Sequence, residues 1–152
     1  MKKPNGYIIY EGKSQLNGGN IVAIVTMSSK NIKTGNMASM WILNADIKPT
    51  EASKQGEDAS VCGDCKHRAV NKGACYVTLH HAPLAVYKAY KRGNYPITND
   101  MTIFEGMKVR FGAYGDPSAI PTQILASIKA VVKNNTSYTH QWKQGDKILK
   151  QV

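Results

Sequence analysis

The chain has 152 residues, 42% of them apolar, with 20 basic against 10 acidic side chains and a formal charge of +10. That length and apolar content suit one domain with its own core and exclude a disordered or fibrous chain, and no run of about 18 apolar residues is present to span a bilayer. The positive balance favours nucleic acid or another anionic partner, although the lysines and arginines are scattered along several elements, a distribution that equally serves to solvate a surface.

Tyr7 to Tyr10 and Ile21 to Met27 are rich in β-branched and aromatic residues and flank the turn formers Asn17-Gly18-Gly19-Asn20, which predicts a hairpin. A second turn over 28–36 leads to a third strand, Met37 to Leu43, so residues 1–45 are expected to form a short antiparallel β-meander. Thr50 offers a capping oxygen and Glu51 an acid in the first turn of a short helix over 48–55.

The stretch Cys62-Gly63-Asp64-Cys65-Lys66-His67-Arg68, followed by Gly73-Ala74-Cys75-Tyr76, holds all three cysteines of the chain. Two thiolates separated by two residues on a glycine-bearing loop can turn toward one centre, and the third leaves a single coordination position for another group. The neighbours Gly63, Asp64, Lys66, His67, Arg68, Asn71, Lys72 and Gly73 are polar loop formers, unlike the surroundings of buried core thiols. An odd cysteine count, and a start without an apolar signal core, argue against a secreted disulfide framework and for the cytoplasm. A redox pair or plain structural thiols are the alternatives. If the metal is zinc, one of His67, His80 or His81 completes a tetrahedral set, His67 from inside the loop and His80 from five residues beyond Cys75.

Tyr76 to Leu79 reads as a short strand. Pro83 to Arg92, closed by Gly93, reads as a helix with proline near its start, cations near its end and glycine after it. Met107 to Phe111 alternates as a strand, and Ile120, Ile124, Leu125, Ile128, Val131 and Val132 form a core-facing helical stripe within 117–133. Ser137 to Trp142 is a further strand. This order predicts parallel βαβ units over 46–152 within one α/β domain spanning 1–152. Ligands of such units gather at the carboxyl ends of the strands. Gly112 and Gly115 there allow close backbone approach, and Asp116 either receives an ammonium group or a cation, or caps the helix that follows. His140 can exchange a proton near neutral pH beside Trp142, or each can be a packed structural residue. Arg68 and Arg110 are secondary candidates for anions.

The cysteine loop, with Gly112-Ala113-Tyr114-Gly115-Asp116-Pro117 after it, resembles radical S-adenosylmethionine enzymes. In those, three cysteines bind a four-iron, four-sulfur cluster and the next strand ends in a glycine-rich turn that receives the cofactor's amino group. The resemblance is in order and residue type. The spacing C-x2-C-x9-C differs from the usual one, Asp116 stands where the family has Glu, and 152 residues would give only a partial barrel. It implies cluster ligation by Cys62, Cys65 and Cys75, S-adenosylmethionine against Gly112, Gly115 and Asp116, and His140 on the substrate side. The three segments Cys62 to Arg68, Gly112 to Pro117 and Tyr138 to Trp142 also resemble a set of uncharacterised phage and prophage proteins, which implies phage origin and a host cytoplasm but no activity. The competing expectations are a zinc-stabilised basic nucleic-acid-binding protein and a phage interaction or inhibitor protein without catalysis. The ending, Lys147 to Val152, reads as the start of another apolar element, as in a truncated relative of a longer barrel.

Overall fold

The computed structural model describes residues 5–27, 38–55 and 82–136. Strands β1 (Gly6–Lys13), β2 (Asn20–Thr26) and β3 (Ala38–Asn44) form the expected antiparallel meander. Helix α1 (Pro49–Gln55) follows, then α2 (Ala82–Lys91), a 3-10 turn Met101–Phe104, β4 (Lys108–Tyr114), a second 3-10 turn Pro117–Ala119, α3 (Thr122–Lys129) and β5 (Asn134–Thr136). All five strands lie in one sheet of order β1-β2-β3-β4-β5, with β4 parallel to both β3 and β5. The meander and the parallel units therefore share β3. The described strands make a mixed sheet, and closure into a barrel is not seen among the described residues.

β2 explains why the sheet needs a layer on each side. Ile21, Val22, Ala23, Ile24 and Val25 are all fully buried, and successive side chains of a strand point to opposite faces, so both faces of β2 are covered. A bulge in β1 inverts the alternation of its side chains between these faces. The register steps from Ile8 opposite Ile24 to Tyr10 opposite Ala23, so Tyr7, Tyr10 and Gly12 share one face, and Ile8, Glu11 and Lys13 share the other. On the first face Tyr7 meets Phe104 edge-on, with ring centroids 6.3 Å apart. On the second, the Tyr90 hydroxyl of α2 donates to Glu11 at 2.6 Å. The 3-10 turn that carries Phe104 packs with α3, whereas α1 and α2 pack on β3 and on each other.

α2 ends as its sequence dictates. Gly93 takes φ +76°, its N–H donates to Tyr90 O, and Asn94 N–H donates to Ala89 O, the pair of bonds that closes a helix on a left-handed residue. The chain then covers the outer edge of β1: Ile8 N–H donates to Pro96 O at 2.8 Å, and Thr98 N–H donates to Ile8 O at 2.9 Å.

Two expectations change. The helical stripe over 117–133 is not one helix, because Ile120 is extended before Pro121, whose ring disfavours a helical residue ahead of it. Ile120 is still buried, as are Leu125 and Ile128 of α3. β5, from Asn134 to Thr136, was not among the expected strands, and the expected strand Ser137 to Trp142 lies outside the described residues, as do the turn over 28–36 and the strand Tyr76 to Leu79.

Gly115 fixes how closely β4 approaches β3. Its φ is +87°, and a Cβ there would stand 2.7 Å from both Ile42 Cβ and Ile42 O. Gly18, at φ +75°, has nothing within 4 Å of such an atom. Gly115→Ala is therefore expected to lose roughly 2–4 kcal/mol, and Gly18→Ala about 1 kcal/mol or less. Urea unfolding of the two variants measures both, and equal losses would contradict the close approach.

Candidate functional site

The three parallel strands β3, β4 and β5 finish along one end of the sheet, the end where ligands of βαβ units are usually held. The β1–β2 turn lies at this end too, since Lys13 pairs with Asn20 and Asn20 O accepts from Ala45 N–H. At the end of β3, Asn44 Oδ1 accepts from the N–H groups of Asp46 and Ile47 at 2.9 and 3.0 Å. This side-chain turn stops the strand and leads the chain toward α1, where Pro49 stands first. Asp46 accepts from Asn20 Nδ2 at 3.1 Å, and Asn20 Oδ1 accepts from Lys13 Nζ at 2.9 Å.

The end of β4 is the better buried part. Tyr114 and Asp116 are buried, and Asp116 Oδ1 accepts from Ser118 N–H at 3.0 Å and from Ser118 Oγ at 2.8 Å. Asp116 thus caps the 3-10 turn Pro117–Ala119, with proline at its first position. Gln15 N–H donates to Ala119 O at 2.8 Å and ties the β1–β2 turn to the segment after β4. Of the residues singled out in the sequence, Gly115 and Asp116 stand together here. Their observed contacts are with Ile42 and Ser118, so the close approach that Gly115 allows is to a neighbouring strand. Gly112 lies within β4.

Cys62, Cys65, Cys75 and His67 lie outside the described residues, in the connection that joins α1 to α2, and His140 lies outside them beyond β5. His80 and His81 lie outside them as well. Among the described residues no group of three or more His, Cys, Asp or Glu side chains could hold a metal ion. No helix among them is long and apolar enough to cross a membrane. Compared with known protein families, curated proteins and solved structures, the chain matches none.

The sequence reading missed the tyrosine and acid cluster that joins α2 to the sheet. The Tyr90 hydroxyl is pushed well above the usual tyrosine range, first by burial and then by its hydrogen bond to Glu11 and that carboxylate's charge. Tyr87 moves the same way, first through burial and then through Asp46. Lys91 Nζ stands over both rings, 5.6 Å and 5.3 Å from their centroids. The signal was available as Tyr87, Tyr90 and Lys91 at helical spacings of three and four. Their partners on β1 and after β3 were not, because no local pattern links α2 to Glu11.

A tyrosine whose folded pKa is raised stabilises the fold below its unfolded value of about 10 and loses that contribution as pH rises through the folded value. Tyr90→Phe is expected to lower stability by about 1 kcal/mol at neutral pH. The difference from the parent chain should shrink at alkaline pH, and the variant should lack one late-titrating phenol in an absorbance titration. A difference that stays constant above pH 10 or so would remove the Glu11 bond as its cause.

Proposed function

We propose that the chain is a metal-binding protein whose Cys62, Cys65 and Cys75 ligate one inorganic centre, an iron–sulfur cluster in an arrangement similar to that of radical S-adenosylmethionine enzymes. The observation that carries this reading is the crowding of every cysteine of the chain into one polar, glycine-bearing stretch. Support comes from the position of that stretch in the topology. It falls in the connection between β3 and β4, two neighbouring parallel strands, and such a connection leaves from the carboxyl end of its first strand. The order of strand, cysteines, helix and a strand ending in a glycine-rich turn is that of the resembled family, with α1 inserted before the cysteines.

In the finer form of the proposal, three thiolates leave one iron free for the amino and carboxylate groups of S-adenosylmethionine, and a bound cluster supplies the electron for its reductive cleavage. Gly112, Gly115 and Asp116 border that cofactor, His140 stands on the substrate side, and the sheet belongs to a partial barrel. Because Asp116 Oδ1 is already engaged by Ser118, its contribution is to hold the Gly115 turn in shape, with the backbone of the turn facing the ligand. Phage origin and a host cytoplasm belong to the same reading.

Anaerobic purification with iron, acid-labile sulfide and zinc analysis tests it. A cluster gives a brown protein with visible charge-transfer absorption, and Cys75→Ala should lose most of the bound metal and the colour. A colourless protein that releases zinc on thiol modification keeps the three-thiolate centre but makes it structural, with His67, His80 or His81 as the fourth ligand, and removes the S-adenosylmethionine part. A chain that binds no metal, or a Cys75→Ala variant with unchanged metal content, overturns the proposal.

A further inference from the structure

α2 packs inward through Pro83 and Val86 and through the half-buried Tyr87, Ala89 and Tyr90. Its other side is cationic: Lys88, Lys91 and, one residue past the helix, Arg92 are all exposed. Lys88 stands three residues before Lys91 and four before Arg92, spacings that bring the three charges to one side of the last turn. Of the nearby acids, Glu11 accepts from the Tyr90 hydroxyl and Asp46 from Asn20 Nδ2, so two carboxylates stand against three cations and the balance of the face stays positive. A single cation in the last turn serves to offset the helix dipole, and each contributes only about 0.3–1 kcal/mol there. Three exposed cations exceed what that role asks for. Beside them, the rings of Tyr87 and Tyr90 lie 6.4 Å apart and are only partly covered, with Lys91 Nζ over both.

Cations that can take phosphates, set next to aromatic faces that can take bases, are the composition of a sequence-tolerant single-strand site. The chain's formal charge of +10 supplies the long-range attraction that brings such a ligand to the surface. We propose that the outer face of α2, with Lys88, Lys91, Arg92 and the rim of Tyr87, binds single-stranded nucleic acid. None of these residues is among the proposed metal ligands, so the proposal does not rest on the metal reading.

The test uses the full chain and a fluorescein-labelled twelve-nucleotide oligo(dT), read by fluorescence anisotropy across a salt series. Three phosphate contacts give a slope of log affinity against log salt of about −2 from this patch alone, since each single-strand contact contributes about 0.7. K88Q/K91Q/R92Q should flatten the slope by about two and weaken binding at low salt by roughly tenfold or more. K48Q/K108Q/K133Q removes the same charge from exposed positions outside α2, and it should weaken binding far less. Tyr87→Ser should cost roughly tenfold with the slope kept, as loss of base stacking requires. Circular dichroism confirms that each variant is folded. Equal weakening by the two charge triples would show diffuse attraction to a basic protein and overturn the proposal. So would tighter binding of a duplex of the same length, or no binding by the parent chain.

Discussion

The seam between β3 and β4 governs the rest of the molecule. Antiparallel strands can be joined by a tight turn, and β1 and β2 are joined in that way through Ser14 to Gly19. Parallel neighbours need a long crossover, and the one between β3 and β4 carries α1, the cysteines and α2 before it returns by way of the β1 edge. The seam is close because Gly115 has no side chain to hold it off Ile42. A chain that kept these strands parallel but apart would lose the burial of Ile42 and of Tyr114, both of which lie against it.

A second constraint follows from β2. With both its faces fully buried, the helices cannot all collect on one side, and the bulge at Ile9 is what puts Tyr7 and Glu11 on opposite faces of β1. One residue of register shift sends Tyr7 toward Phe104 and Glu11 toward Tyr90. The acid that holds α2 to the sheet and the ring that anchors the opposite layer are thus four positions apart on a single strand.

Much of the fold was legible locally. The hairpin turn formers, the proline, cations and glycine that punctuate α2, and the alternation of β4 each state their structure within a few residues, and each element forms within a residue or three of the expected bounds. The stripe from Ile120 to Val132 was legible as core but misleading as a single helix, since buried positions repeat at helical spacing across a break that Pro121 imposes. For Gly115 and Asp116, a glycine-rich turn that receives a ligand and one that receives a neighbouring strand share the same residue types. Only the coordinates of Ile42 and Ser118 reveal the contacts they make here.

By itself the sequence determined the elements, the polar character of the cysteine segment and the positive charge, because turn chemistry, side-chain period and ionisation are properties of neighbouring residues. Tertiary structure decided that the meander and the parallel units are one sheet, that a bulge puts Tyr7 and Glu11 on opposite faces of β1, and that the cations of α2 face outward beside two tyrosines. Those outcomes depend on contacts between residues far apart in the chain, such as Glu11 with Tyr90 and Ile42 with Gly115, and packing selects such pairs without any local pattern that encodes them.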